Sequence, residues 1–419
     1  MVITIRVLHY NSYDVRYGAA IAAHRIHTAL RKAGIESKMV VQNKSSDEQY
    51  IIGPSNNIEK ALGLVRPLID RFPLLFRNAP KNFSTGWASG TYTRYIPIEN
   101  PDIVNLHWIN GGFVSVRSIA RIKKPIVWTL HDSWPFTGGC HVPFECKRYT
   151  KACGMCPQLG SSSKRDITYR LLKRKTRFWD KLNLTVVTPS KWLGECAKSS
   201  KVFAKKRVII IPNTIDTQKF KPLEKSFARK VLNLPINKKL ILFGAVSPTS
   251  DKNKGFHLLR NAIKYISRET YKHAELCVFG MSYQGLSLET SIKTNFLGKV
   301  NDEWTLALIY SAADVTVVPS IQENLPNMVM ESLACGTPCV AFNIGGMPDM
   351  IEHKNNGYLA VPFAPSDLAK GIDWVLEDNA RYRFLSSRAR EKVLENFSEE
   401  RVAGMYISLY RKILEGVPL

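Results

Sequence analysis

The alternation of short apolar runs with helical stretches constrains this chain most. Val2-Ile3-Thr4-Ile5-Arg6-Val7-Leu8 reads as a strand; a loop and Gly18 follow, then a helix from about Ala19 to Ala33 closed by Gly34, then a second strand at Ser37-Lys38-Met39-Val40-Val41. Strand, helix and strand at this spacing make a βαβ unit, whose strands lie parallel in one sheet. The pattern recurs at Ile103 to Leu106, Pro125 to Leu130, Leu184 to Val187 and Val208 to Ile211. A chain of 419 residues exceeds one ordinary core and suits two domains of about 200 residues each. The proline-punctuated, aperiodic stretch 212–236 is the expected junction. Beyond it a second α/β series predicts strands at Leu240 to Gly244, Glu275 to Phe279, Val315 to Val318, Pro338 to Phe342 and Tyr358 to Val361, with helices such as Phe256 to Ile266 between them. The expected organisation is an α/β domain at 1–211, a second at 237–397, and a final helix at 398–419 that packs back through Val402, Met405, Tyr406, Leu409, Tyr410 and Ile413.

Charge narrows the partners. The net charge is +24, and residues 1–200 hold 30 Lys+Arg against 13 Asp+Glu, so the N-terminal half is expected to meet something acidic. Nucleic acid, anionic lipid headgroups and a phosphorylated acceptor all fit such a field, but no recognition helix or RNA-binding sheet motif accompanies it. There is no run of eighteen apolar residues and no basic-then-apolar leader, which argues against a spanning helix and a secretory signal and leads to the expectation of a cytoplasmic chain.

The segment Glu323-Asn324-Leu325-Pro326-Asn327-Met328-Val329-Met330-Glu331 carries two carboxylates eight positions apart. Pro326 suits a first helical position, which leaves Glu323 and Asn324 on the incoming loop and Glu331 inside the helix. A helix start offers free N–H groups and a positive dipole end to a phosphate, while a glutamate one turn in accepts hydrogen bonds from sugar hydroxyls. The pattern points to a nucleotide-sugar pocket.

Placed in order, these pieces resemble the family-4 retaining glycosyltransferases, whose GT-B fold has two Rossmann-like domains facing across a cleft. The resemblance covers nearly the whole chain and rests on Gly18-Ala19-Ala20, Thr129-Leu130-His131-Asp132, Thr188-Pro189-Ser190, Ile211-Pro212-Asn213-Thr214-Ile215-Asp216, Lys254-Gly255, and the Glu323 to Glu331 segment followed by Ala334-Cys335-Gly336-Thr337-Pro338. It implies that Glu331 binds the donor ribose, that Glu323 faces the transferred sugar, and that the N–H groups of Asn324, Leu325 and Asn327 hold the diphosphate. It further implies that Lys254 neutralises the leaving group, that His131 lines the reaction cleft, and that Gly18 lets the first loop approach donor and acceptor. The family generally adds an arginine just after the strand glycine; here that place is Ala245, followed by Val246-Ser247-Pro248, and Lys252 is the candidate substitute. The two glutamates are then binders, the donor's own phosphate takes the acceptor proton, and no cofactor is needed for catalysis.

Three further features lie in the basic half. Cys140, Cys146, Cys153 and Cys156 place four thiols in 17 residues, a pattern that favours a structural zinc site over disulfides or unlinked thiols in a cytosolic chain, although the spacing is not the paired CxxC form. This Cys-rich insert, 140–156, after its Leu-His-Asp-x-Trp run, resembles one in a bacterial exopolysaccharide subset of the family, such as colanic acid glycosyltransferases. Lys164, Arg165, Arg170, Lys173, Arg174, Lys175, Arg177 and Lys181 then surround Ile167, Leu171, Leu172, Phe178 and Trp179, a basic amphipathic helix suited to anionic headgroups or simply to solvent. Finally, Ile58, Leu62, Val65, Leu68, Ile69 and Phe72 recur at helical spacing among Lys60, Arg66, Arg71 and Arg77, either a helix packed on its own domain or a surface that lies on a bilayer.

The resulting expectation is a transferase that moves a sugar from a UDP- or GDP-linked donor to a growing, lipid-linked surface glycan, working as a peripheral protein at the inner face of the cell membrane. A nucleotide-sugar epimerase or phosphorylase of the same fold is the nearest alternative, and a zinc-containing nucleic-acid-binding protein a remote one.

Overall fold

The computed structural model describes residues 4–75, 77, 79–80, 82–244, 251–280, 291–300 and 302–417. Two compact units divide the chain: Met1–Thr214 with Glu399–Leu419, and Ile215–Ser398. No helix among the described residues is long and apolar enough to cross a membrane.

The N-terminal unit is built on a seven-stranded sheet in the order β3-β2-β1-β4-β5-β6-β7. Its strands are β1 (Arg6–Tyr13), β2 (Glu36–Asn43), β3 (Ile51–Ile52), β4 (Ile103–Leu106), β5 (Ile126–Thr129), β6 (Leu184–Thr188) and β7 (Arg207–Ile210). All six pairings are parallel. The order reverses beside β1, the switch point at which open α/β sheets bind ligands past their carboxyl ends. The expected first strand starts too early: its opening residues Val2 and Ile3 lie outside the described residues, and β1 runs on to Tyr13 because β2 pairs with it over that length.

The final helix Glu399–Leu414 belongs to this unit. Val402, Tyr406, Leu409 and Tyr410 pack with Ile5, Val7, Ile26 and Leu30 in one apolar cluster. Tyr406 and Tyr410 also reach polar groups of the sheet, Thr129 Oγ1 at 3.0 Å and Asn105 Oδ1 at 2.8 Å.

The C-terminal unit holds a six-stranded sheet in the order β10-β9-β8-β11-β12-β13, with β8 (Lys239–Gly244), β9 (Ala274–Phe279), β10 (Thr294–Phe296), β11 (Val315–Val318), β12 (Cys339–Phe342) and β13 (Gly357–Ala360). These pairings are parallel too. From Ile215 onward the segment expected as a junction packs on this unit: Ile215, Phe220, Ala228 and Leu234 are buried in its core with Leu240 and Ala307.

The helix Asn57–Arg71 is inside out. Its buried positions are Glu59, Gly63, Arg66 and Asp70, whereas Leu62, Leu64, Val65, Leu68, Ile69 and Phe72 are exposed, Leu64 at 74% and Leu68 at 70%. Polar groups hold it in place. Asp70 accepts from Thr85 Oγ1 and from the N–H groups of Trp87 and Ala88 at 2.8 and 3.1 Å. Glu59 takes Ser55 N–H at 2.9 Å and the Arg94 guanidinium at 2.7 Å. Arg66 and Arg71 therefore do not flank an apolar stripe: Arg66 is buried and Arg71 donates to the carbonyls of Pro80 and Phe83.

Candidate functional site

In the C-terminal unit, β8 leads through residues outside the described set, Ala245 to Pro248 among them, to the 3-10 turn Lys252–Lys254 and the helix Phe256–Ile263. Gly255 makes this turn possible. It sits at φ +69°, and a Cβ there would meet the Pro319 carbonyl oxygen at 1.8 Å. The turn is tied to the loop after β11 by Asn253: its backbone carbonyl accepts Ile321 N–H at 2.9 Å, its Oδ1 accepts Gln322 N–H at 3.1 Å, and its Nδ2 donates to Gln322 O at 3.0 Å. Lys254 is thereby carried to Glu323, Nζ to Oε1 at 2.6 Å, and Ser320 Oγ donates to the same oxygen at 3.1 Å. The Glu323 carboxylate raises the Lys254 pKa further than burial lowers it, so the ammonium stays charged. Lys252, one turn position away, is exposed.

Glu323 is fixed from its other side. Gly346 N–H donates to the Glu323 carbonyl at 3.2 Å, and a Cβ on Gly345, at φ +51°, would meet that carbonyl at 1.9 Å. The next helix is Asn327–Ala334, so Asn324 and Leu325 lie on the loop as expected. Pro326 is the residue before the helix rather than its first residue: its ψ of 129° is extended. Its fixed ring still supplies no N–H at the turn. Glu331 is inside the helix and buried, and one of its oxygens accepts from Tyr310 Oη at 2.8 Å.

The N-terminal unit presents a different arrangement. His131 follows β5, His107 follows β4, and His9 comes from β1, which places three imidazoles side by side on adjacent strands. His9 Nδ1 lies 2.9 Å from His107 Nε2, and His107 Nδ1 lies 3.0 Å from His131 Nε2. Tyr410 Oη donates to Asn105 Oδ1, and Asn105 Nδ2 donates to His107 Nε2 at 3.0 Å. The His107 proton therefore sits on Nδ1 and is donated to His131 Nε2. Burial lowers His131 to about 4 and His9 to about 3, and pushes His107 well below the ordinary value, so the three rings are neutral near pH 7. Beside them, burial raises the Asp132 pKa, but His141 at 2.6 Å and the N–H groups of Trp134 and Trp108 outweigh it and hold the carboxylate below its usual range.

Gly18 opens the helix Gly18–Lys32, yet the left-handed backbone position falls on Tyr17, at φ +71°. Sequence reasoning missed Asn253, Tyr310, His9, His107 and Asn105. Each meets its partner far along the chain: His9 and His107 are 98 positions apart, His107 and His131 24, Asn253 and Gln322 69, Tyr410 and Asn105 305, and Tyr310 and Glu331 21.

The four cysteines expected to hold zinc lie within electrostatic reach of one another. Among the described residues no group of three or more His, Cys, Asp or Glu side chains is placed to hold a metal ion. All four cysteines are free thiols. Cys140 and Cys156 pack with Leu74, Phe83, Leu159 and Leu171, while Cys153 packs on the main core of the unit. Burial raises the thiol of Cys140 to about 12 and that of Cys153 to about 11. On the turn just before the insert, the wholly buried Lys175 donates to the carbonyls of Trp134 and Thr137 and lies over the Trp134 ring.

Comparison with known proteins agrees with this architecture. The family model for "Glycosyltransferase Family 4" matches residues 17–219, and that for "Glycosyl transferases group 1" matches 224–392. An uncharacterized glycosyltransferase of Methanocaldococcus jannaschii is 30% identical over 55% of this chain and 60% of its own length. An N-acetyl-alpha-D-glucosaminyl L-malate synthase of Bacillus anthracis is 29% identical over 33% of this chain and 35% of its own. The chain thus spans between about a third and three fifths of these relatives. A D-inositol 3-phosphate glycosyltransferase of Thermobispora bispora is 26% identical over 75% of this chain and 72% of its own. Among solved structures, the sucrose-phosphate synthase of Thermosynechococcus elongatus superposes with a TM-score of 0.71 at 20% identity, covering 98% of this chain and 100% of that one. Anabaena HepE in complex with UDP and glucose gives 0.66 at 16%, covering 97% and 99%.

Two parallel-sheet, Rossmann-like units with these likenesses define the class, a glycosyltransferase of the GT-B fold. The two family models tile the chain in order, one on each half, and together they place the chain among the glycosyltransferases.

Proposed function

We propose that this chain moves a hexosyl group from a UDP- or GDP-linked donor to a growing, lipid-linked surface glycan of the exopolysaccharide type, with retention at the anomeric carbon. The observation that carries the donor half is the charged Lys254–Glu323 pair beside the Asn324–Asn327 loop, with Glu331 buried one turn into the helix. In this reading Lys254, with Lys252 and the N–H groups of Asn324, Leu325 and Asn327, receives the diphosphate. Glu331 holds the ribose, Glu323 the transferred sugar, and neutral His131 a sugar hydroxyl, while Gly18 lets the first loop approach. A solved relative holding UDP and glucose supports a nucleotide-sugar donor.

No side chain acts as a nucleophile. As the bond from the anomeric carbon to the phosphate oxygen breaks, the acceptor oxygen bonds to that carbon on the same face, and its proton passes to the departing phosphate oxygen. The protein contributes by neutralising charge: an ammonium already fixed at the diphosphate needs no reorganisation when negative charge develops there.

The names of the curated relatives carry inositol phosphate and malate, so the lipid-linked acceptor rests on the exposed apolar face of the helix Asn57–Arg71. This face also supports attachment to an anionic membrane surface on the cytoplasmic side. Nucleic acid has no place in the reading. The test is a thermal-shift screen of UDP- and GDP-sugars, followed by acceptor-dependent nucleotide release and determination of the product's anomeric configuration. A stabilising sugar nucleotide and a retained configuration are expected; sugar isomerised without acceptor would instead identify an epimerase.

A further inference from the structure

A cavity of about 430 Å3 opens in the N-terminal unit, away from the histidine array. Its wall includes Arg77, Arg165, Arg170, Arg174, Trp87 and Pro73. Two sources supply the arginines: the stretch just after the inverted helix Asn57–Arg71 gives Arg77, while Arg165 just before the helix Ile167–Trp179 and Arg170 and Arg174 within it give the other three. The single carboxylate on the wall, Asp166, is turned to its own helix, where it accepts from Thr168 N–H at 2.8 Å and Cys156 N–H at 3.0 Å. Among the described residues none of the four guanidinium groups has a carboxylate partner. Arg174 instead stacks on Trp87, 5.0 Å from the ring centroid, and its pKa is lowered by burial and then by Arg117. Cations gathered in a concave wall without anions raise the cost of the free state and reward any anion that enters.

The position of the cavity identifies the anion's source. Trp87 is tied by its N–H to Asp70 on the buried side of the inverted helix, and Pro73 and Arg77 follow that helix directly, so the cavity adjoins its C-terminal end, where Ile69 and Phe72 of the apolar face are exposed. Trp87 is itself 62% exposed, an aromatic side chain at the edge between the apolar face and the cations. An apolar face beside four unpaired arginines is complementary to a bilayer that carries phosphate at its surface, where tails meet the first and headgroups the second. Planar guanidinium groups bind phosphate oxygens in pairs, which favours a diphosphate over a single charge.

We propose that this pocket binds the diphosphate headgroup of a membrane lipid while the helix Asn57–Arg71 rests its apolar face on the surrounding bilayer. The proposal rests on the lipid-linked acceptor reading and gives that acceptor a binding site separate from the donor's.

The test is co-sedimentation of the full chain with three sets of vesicles: phosphatidylcholine alone, phosphatidylcholine with a prenyl diphosphate, and phosphatidylcholine with phosphatidylserine at the same surface charge. The wild type is expected to bind the prenyl diphosphate vesicles more tightly than the phosphatidylserine ones. R170Q/R174Q is expected to lose roughly tenfold or more on the prenyl diphosphate vesicles, with R170K/R174K recovering part of the loss. L64S/L68S is expected to weaken binding to all three. Undiminished binding of R170Q/R174Q to the prenyl diphosphate vesicles overturns the proposal, and so does equal binding of the wild type to the two charged sets, which would leave only diffuse attraction. A parallel thermal shift with nucleotide sugars separates the two readings: a pocket that fails while the donor still binds removes this site and leaves the transferase assignment standing.

Discussion

Lys254, partly buried, and Lys175, wholly buried, have their ammonium groups driven in opposite directions. Lys254, in the C-terminal unit, has a carboxylate at 2.6 Å, and that charge holds its pKa above the ordinary value. Lys175, in the N-terminal unit, has two backbone carbonyls and an indole face but, among the described residues, no carboxylate in contact, and burial brings it down to about 7. The histidine array follows Lys175: burial wins and the rings are neutral. Two sheets of the same parallel kind thus end in opposite electrostatics, one charged and ready for an anion, the other neutral. Whether a counter-charge reaches the buried cation decides the outcome.

The largest expected effect breaks the charged side. Lys254→Ala should lower kcat/KM by roughly 100- to 1,000-fold, the range for removing one group that stabilises developing charge. Acceptor-dependent nucleotide release measures it, and wild-type turnover in this variant would end the assignment of the diphosphate site. Glu331→Gln keeps an acceptor for Tyr310 but loses the charged hydrogen bond that the proposed function gives Glu331 with the donor ribose. It should raise KM for the sugar nucleotide by roughly tenfold to a hundredfold, with a smaller change in kcat.

On the neutral side, Lys175→Met should cost about 1–3 kcal/mol in a denaturant titration, because two buried carbonyls lose their donor. The sign of its pH dependence is fixed by the lowered pKa. Between about 7 and the ordinary 10.5 the unfolded chain holds this proton and the folded chain does not, so stability rises with pH through that window. The slope should shrink in the Met variant; an unchanged slope would show that Lys175 remains charged when folded.

The smallest effect concerns His131. Its folded pKa of about 4, against an ordinary 6.5, means that stability falls as pH drops from 6.5 towards 4, while transfer above pH 6 shows no inflection from this group. An activity profile of wild type and His131→Asn checks this, and an inflection near 6.5 present only in the wild type would contradict the neutral array.

Much of the fold was legible because each interior strand is an apolar run bounded by turns. Val315 to Val318 and Ile103 to Leu106 were read with the ends the structure gives them. Short edge strands were not: Ile51–Ile52 and Thr294–Phe296 are two and three residues long and owe their conformation to the neighbour they pair with. In the helix Asn57–Arg71 the apolar period was visible but its direction was not. Periodicity states that two faces differ; the hydrogen bonds of Asp70 and Glu59 decide which one turns inward.

The sequence by itself determined the class, since the βαβ spacing, the Glu323 to Glu331 segment and Lys254-Gly255 are local patterns, legible wherever the chemistry lies within a few residues. Only the tertiary structure decided the charge states and the orientation of surfaces. A pKa depends on what lies within a few ångströms from any part of the chain: Glu323 lies 69 positions from Lys254, and Asn105 lies 305 from Tyr410. Those distances are set by the sheets, not by the order of residues.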